Sequence, residues 1–228
     1  MAKERVISTD AARLIALAKV NDALAGGSSL RASLQRVLQL LDRRDSGVCS
    51  SITLLNPDSG LLQVEASEGL TPVGRSARYA IGEGVTGRVV ESGRPVIVPR
   101  ASKEPTFLNR ARRKNLDRRD ISFICVPIKT RTKPVGALSI DLPFEKGRDY
   151  QGYVRVLDVV ASMIAQAIRV NHLVDAERQA HLLEQLTVGH LAAGTERRPQ
   201  VVQQVGDELN LARVLVRSGH PPHVPLKL

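Results

Sequence analysis

The sequence has no tryptophan, and its three phenylalanines and three tyrosines make up only 3% of 228 residues. That is too few for the aromatic platforms on which single-stranded nucleic acids stack. Two cysteines, Cys49 and Cys125, cannot build a disulfide framework. Both lie in apolar, β-like runs ("GVCSSITLL", "SFICVPI") and read as small buried hydrophobes rather than reactive thiols. No apolar stretch approaches the roughly 18 residues of a membrane span. The opening "MAKERVISTD" lacks the apolar centre of a signal peptide, so a cytoplasmic, reducing location is expected. Acidic residues are in deficit, 23 against 33 Lys and Arg, for a net charge of +10. Such a balance favours anionic partners at long range and says nothing about fold. The five histidines suggest no metal site: His172, His181 and His190 are spaced by nine, which alternates helix faces, and His220 and His223 stand among prolines. Neither H-E-x-x-H nor G-x-S-x-G occurs. No catalysis, metal or cofactor is expected.

What is present is a 43% hydrophobic content, enough for one sizeable core with peripheral helices. Residues 8–25 read as a helix, with Ser8, Thr9 and Asp10 as candidate caps and Gly26-Gly27 as its stop. A second helix follows Ser28 or Ser29, with Leu30, Leu34, Val37, Leu38 and Leu41 on one face. "CSSITLLN" and "LLQVEAS", joined through "PDSG", form a hairpin pattern. "ARYAI" is a short strand, "GRVVESG" a short helix stopped by Gly93, and "PVIVP" a short or edge strand between prolines. Residues 101–120 are a polar, basic excursion. "ISFICVPIKT" and "PVGALSIDL" read as a central antiparallel pair. From about 149 to 192 the pattern is helical, and Val156, Val160, Met163, Ala167, Val170 and Val174 recur at steps of four and three. That spacing suits a dimer seam or a helix packed on its own sheet. Beyond Gly194, "TERRPQ" and the prolines of "HPPHVPLKL" break the pattern. The expected division is an N-terminal helix (1–27), a main domain (28–175), a helical extension (176–193) and a linker or disordered tail (194–228). Strands arrive in hairpins, which favours an α+β fold with an antiparallel sheet over a doubly wound parallel one.

"GEGVTG" at 82–87 matches G-x-G-x-x-G, and with Arg88 and Val89 it matches the kinase phosphate loop. A dinucleotide site also needs a long crossover helix and an acidic residue about 20 residues on, at the end of the next strand. Here the helix is short and the strand ends in Arg100. No kinase H-R-D or D-F-G motif occurs, and Gly87 is followed by Arg88 where a P-loop needs lysine. The glycines fit an abrupt strand-to-helix turn, with Val85, Val89 and Val90 on the buried side of the helix.

"IGEGVTGRVVESGRPVIVPR", "FICVPI" and "PVGALSI" together resemble a GAF domain, a small-ligand sensory module. With "KEPTFLNRA", "DISFICVPIK", "PVGALSIDLPFE", "RDY" and "VASMIAQAIR", residues 8–180 resemble the N-terminal domain of NifA-type transcriptional activators of nitrogen fixation. The resemblance implies a central antiparallel sheet, with N-terminal and long C-terminal helices packed on one face and loops over a pocket on the other. It implies a sensory role that controls an attached or partner ATPase domain, a response to 2-oxoglutarate, and in some members the partner NifL or a PII-type protein. The chain departs from that architecture. It carries no Walker motif, no "GAFTGA" loop and no helix-turn-helix pattern, so neither ATP hydrolysis nor DNA binding carries over, and the end of the sequence reads as truncated or divergent.

A pocket for a dicarboxylate needs converging cations or N–H groups, which singles out Arg88 and Arg100, each otherwise an ordinary surface charge. Thr86 stands near a helix N-terminus, as an anion donor or a cap. Phe107, Leu108, Phe123, Cys125 and Ser139 are candidates for the wall or for plain core. Phe123 and Cys125 share one strand face and Ile124 takes the other, either of which serves as the ligand side. Asn109 is a polar residue in an apolar setting, as a ligand contact or a loop cap. "RARRKNLDRR", from Arg110 to Arg119, is a basic stretch suited to a solvated loop, a regulator or, less directly, phosphates. A homodimer through the C-terminal helix completes the expectation.

Overall fold

The face formed by Leu34, Val37 and Leu38 decides the second helix: all three are fully buried. In the computed structural model it is α2, Leu30–Asp42, and Ser29 caps it by accepting a hydrogen bond from the Ala32 N–H at 3.2 Å. The structure describes residues 2–26, 29–42, 49–108, 121–131 and 133–192, with side chains placed between 14 and 183. The preceding helix, α1, spans Ala2–Ala25. It starts earlier than its candidate caps suggested and runs through Ser8, Thr9 and Asp10. The Ala, Lys, Glu and Arg ahead of them are strong helix formers and extend the helix past weak stop signals.

Six strands follow: β1 Ser50–Leu55, β2 Leu62–Glu68, β3 Arg78–Tyr79, β4 Val96–Val98, β5 Ile121–Lys129 and β6 Pro134–Pro143. They form one antiparallel sheet in the order β3-β2-β1-β6-β5-β4. The fold is α+β, as the hairpin pattern indicated. "PVIVP" is the edge strand, where its prolines interrupt no central ladder. Asn56 shapes the β1–β2 turn, its Oδ1 accepting from the N–H groups of Asp58 and Ser59 at 2.9 Å. One register shift lies in this hairpin: Ile52 opposes Ala66 but Thr53 opposes Val64, so Glu65 is an extra residue. Glu65 receives the Arg31 Nε–H of α2 at 2.9 Å.

Three further α-helices are α3 Pro72–Arg75, α4 Gly84–Ser92 and α5 Tyr150–Ala192, and a 3-10 turn spans Ala101–Lys103. The four-residue α3 has no periodic signal; Thr71 caps it and Pro72 opens it. Residues group into two units, 1–175 and 176–228. In the second, the described residues continue α5, and side chains 176–183 are exposed. In the first, the sheet separates two clusters. On one face α1, α2 and α5 bury Val20, Leu34, Leu38, Leu157, Val160 and Ile164 against Ile52, Ile124, Val126, Leu138 and Ile140. On the other face α4 closes over the sheet.

A hydrogen-bond chain ties α5 to the sheet. The Ser122 hydroxyl donates to the Pro99 carbonyl at 2.8 Å and lies 2.7 Å from the Tyr150 hydroxyl, which must therefore be the donor of that second bond. Tyr150 opens α5, and Pro99 stands just beyond β4. The residues expected to form a seam along α5 do not share one exposed side, and Met163 packs against the chain's own core. Val160 is fully buried in the chain's own core, and Val159 stands on the exposed side instead. The exposed stripe is Val156, Val159, Val170 and Val174. Cys125 is buried as expected, but Cys49 is only half-buried, with its Sγ 3.2 Å from the Gly69 carbonyl oxygen. Cys49 precedes β1 rather than belonging to it, so the sheet covers only part of it.

Candidate functional site

The glycine turn has a backbone reason at each position. Gly82 and Gly84 adopt φ of 83° and 61°, in the left-handed region. Gly87 has an ordinary φ, but a Cβ there would run into the Ala80 carbonyl oxygen and sit 3.0 Å from the Gly82 nitrogen. The Glu83 carboxylate accepts from the Ala80 N–H at 2.8 Å and steadies the same turn. The chain thus folds back tightly and launches α4 over the sheet. Val85, Val89 and Val90 pack with Phe123, Cys125, Ala137 and Leu62. A nine-residue helix on an antiparallel sheet is not the crossover of a dinucleotide fold.

The face under α4 is the candidate cup. Phe123 and Cys125 belong to it and Ile124 points to the opposite core. Phe107 joins this wall, edge-on to Phe123 with ring centroids 5.1 Å apart. Ser139 lies on the same face, and its hydroxyl is 2.8 Å from that of Ser51, directly opposite on β1. Other expected residues stand elsewhere. Arg88 is exposed on α4. Arg100, expected to end the strand, lies two residues beyond β4 at the cap of a 3-10 turn, half-buried, with its guanidinium 4.2 Å above the Phe144 ring. Thr86 is half-buried in the first turn of α4, but the N-cap position is Glu83, so Thr86 is not the cap. Leu108 is exposed and approaches Gly84, where a Cβ would come within 3.0 Å of its Cδ1. Asn109 and the stretch from Arg110 to Arg119 lie outside the described residues.

Sequence reasoning passed over three cup residues, Ser51, Thr53 and Asp141. Opposite-register pairs share a face, so Ser51 and Thr53 join Ser139 and Ala137. Asp141, two residues beyond Ser139 and opposite Phe123, faces the same way. Asp141 is 3% exposed and Thr53 is equally deep. The signal was present in "ALSIDL", where Leu138, Ile140 and Leu142 alternate with Ala137, Ser139 and Asp141.

At the rim, Glu104 accepts from the Thr106 hydroxyl at 2.6 Å and the Thr106 N–H at 3.1 Å. These bonds hold its carboxyl below the usual glutamate range, and the nearby Arg88 charge acts in the same direction. On α5, burial pushes the Asp158 carboxyl up, opposed in smaller part by Lys129. Among the described residues no group of His, Cys, Asp and Glu could hold a metal ion, and no helix is long and apolar enough to cross a membrane.

The model of the GAF domain family matches residues 27–169, spanning α2, the whole sheet and the first half of α5. The chain belongs to the GAF domain family. It is 35% identical over 148 residues to the nitrogen fixation protein VnfA of Azotobacter vinelandii, covering 63% of this chain and 28% of that protein. It is 33% identical over 183 residues to the Nif-specific regulatory protein of Azospirillum brasilense, covering 78% of this chain and 29% of that protein. The chain therefore spans under a third of the length of these relatives. Among solved structures, the GAF domain of A. aeolicus nlh2 in an inactive state superposes with a TM-score of 0.60 at 21% identity, over 69% of this chain and 96% of that one. As a GAF domain related to nitrogen-fixation regulators, the chain carries the antiparallel sheet and helical face that its sequence resemblance implied.

Proposed function

We propose that this chain is the sensory and regulatory module of a nitrogen-fixation activator, taking a small carboxylate metabolite in the cup and having no catalysis of its own. The supporting observation is the face of the GAF sheet covered by α4, which carries aromatic and apolar residues with a few buried polar groups. Such a surface suits a small ligand. The resemblance implies 2-oxoglutarate, and Arg88 and Arg100 are the rim cations for its carboxylates. Occupancy would press on α4 and the end of β4. From there the Pro99–Ser122–Tyr150 chain leads into the start of α5. The ligand acts only to the extent that it favours one arrangement over the other. The apolar stripe of Val156, Val159, Val170 and Val174 is the surface by which two copies would pair and pass the change on to an attached or partner ATPase domain.

Isothermal titration calorimetry of the full chain with 2-oxoglutarate tests the ligand. Saturable heat at or below millimolar concentration supports it. No heat removes 2-oxoglutarate and favours the second reading, in which the exposed stripe docks a regulator such as NifL or a PII-type protein without any metabolite.

A further inference from the structure

The turn between the two longest strands, β5 and β6, is strongly basic. Lys129, Arg131 and Lys133 alternate along "KTRTK", and all three are exposed. Thr130 closes the turn tightly: its N–H and its hydroxyl both donate to the Lys133 carbonyl at 3.0 Å. Gly93, the left-handed cap of α4, abuts the same hairpin; a Cβ there would lie 3.4 Å from the Pro134 Cγ and 4.0 Å from the Lys129 Cδ. Arg94 follows at once and is exposed, so four cations gather at one end of the sheet. Among the described residues none of the four makes an ion pair. The half-buried Asp158 of α5 is near enough to feel the Lys129 charge without pairing with it.

Local structure does not require these charges. Chains turn most readily at Gly, Pro, Asn, Asp or Ser, whereas residues 130–133 read Thr-Arg-Thr-Lys. Lysine blocks further pairing on edge strands, but β5 and β6 both lie inside the sheet. The negative end of α4 favours Arg94 and Lys129 beside it and leaves Arg131 and Lys133 without a reason. Four like charges at one end of the sheet repel one another, and an anionic partner relieves that repulsion. The geometry points to this tip as the docking surface for an acidic segment of a partner protein. Arg94 and Arg131 meet its carboxylates as planar forks, and Lys129 and Lys133 act as point charges. A nucleic acid fits less well. It presents a long track of phosphates to one narrow turn, and neither 92–95 nor 129–134 contains an aromatic residue on which a base could stack. This surface involves neither the cup residues nor the stripe on α5.

The test uses a glutamate-rich, fluorescein-labelled peptide, titrated with the full chain at low ionic strength, where exposed charges are least screened, and followed by anisotropy. A labelled oligonucleotide of equal net charge is titrated alongside. Lys129→Glu, Arg131→Glu and Lys133→Glu together should weaken peptide binding roughly ten-fold or more. Arg75→Glu, Lys103→Glu and Lys146→Glu together remove the same charge from exposed sites elsewhere. They should weaken it by less than about three-fold. Circular dichroism checks that both variants are folded. If the tip reversal does not fold, Arg131→Gln with Lys133→Gln replaces it, read against Arg75→Gln with Lys103→Gln; only the tip pair should weaken binding. Equal weakening by tip and control sets means that overall charge alone attracts the peptide, and it overturns the inference. So does a parent chain that binds no peptide, or one that binds the oligonucleotide more tightly.

Discussion

Gly87→Ala separates the two explanations of the glycine turn by the sign of its effect. Within a helix, replacing Gly by Ala ordinarily stabilises by about 0.5–1 kcal/mol. If Gly87 were there only to let a ligand approach the backbone, the unliganded variant would show that gain. The structure demands the opposite. The added Cβ meets the Ala80 carbonyl oxygen and two Gly82 backbone atoms at 3.0 and 3.1 Å, none of which is the flexible end of a side chain. Relief requires α4 to move away from the turn. Overpacking of this kind costs roughly 1–3 kcal/mol. Partial loosening of Val85, Val89 and Val90, each worth about 1.5–3 kcal/mol when buried, adds roughly 1–2 more. After the helical gain is subtracted, a net loss of about 1–4.5 kcal/mol is expected, or roughly 2–18 °C in Tm for a chain of this size. Thermal and urea unfolding followed by circular dichroism would read it. Gly60→Ala is the control: its φ is 66° but a Cβ there meets nothing within 4 Å, so only left-handed strain of about 1–2 kcal/mol applies. A Gly87→Ala protein as stable as the parent, or more so, refutes the packing account.

Ser122→Ala should cost about 1–3 kcal/mol in urea unfolding, since it strands the Pro99 carbonyl and the Tyr150 hydroxyl together. Tyr150→Phe, which removes one donor and leaves the Pro99 bond, should cost only about 0.5–1.5 kcal/mol. Because burial raises the folded-state pKa of Asp158, the folded chain holds that proton more tightly than the unfolded one. Stability from this group is therefore full at acid pH and falls as pH rises from the ordinary aspartate value through the raised one; Asp158→Asn should flatten that fall in pH-dependent unfolding. Glu104 has the opposite sign: its contribution is present above the ordinary glutamate value and is lost as pH falls through the lowered one. Thr106→Ala should bring its titration, followed by NMR, back toward ordinary. Val170→Glu places a charge in the exposed stripe of α5 and should shift sedimentation equilibrium toward monomer; an unchanged mass moves the pairing surface elsewhere.

The sheet was legible because its strands announce themselves by composition and are separated by turns with a chemical reason, such as Pro57 and Gly60. The position of β4 at the edge followed from its prolines alone. The start of α1 was not legible, because good capping residues at 8–10 look the same whether a helix begins at them or passes through. Nor was the full membership of the stripe on α5. A spacing of threes and fours admits either Val159 or Val160, and only the packing of the sheet chooses. The cup was half legible. Its apolar wall could be named from Phe107, Phe123 and Cys125, since such residues attract attention wherever they stand. Ser51, Thr53 and Asp141 escaped because small polar residues in a strand look like its solvent side, and only the placement of α4 makes that side an interior.

The extra residue in β2 fixes the length of that strand. Glu65 lets Leu62 and Val64 look into the cup while Ala66 looks toward the helices. Deleting Glu65 would leave Val64 and Ala66 adjacent, in strict alternation with their facings unchanged, whereas inserting one further residue would turn one end of the strand inside out, carrying leucine away from the cup or alanine away from the helices. Substitutions at Glu65 cost at most an exposed ion pair with Arg31. This chain should therefore tolerate a change of letter at Glu65, or its loss, far better than an added residue.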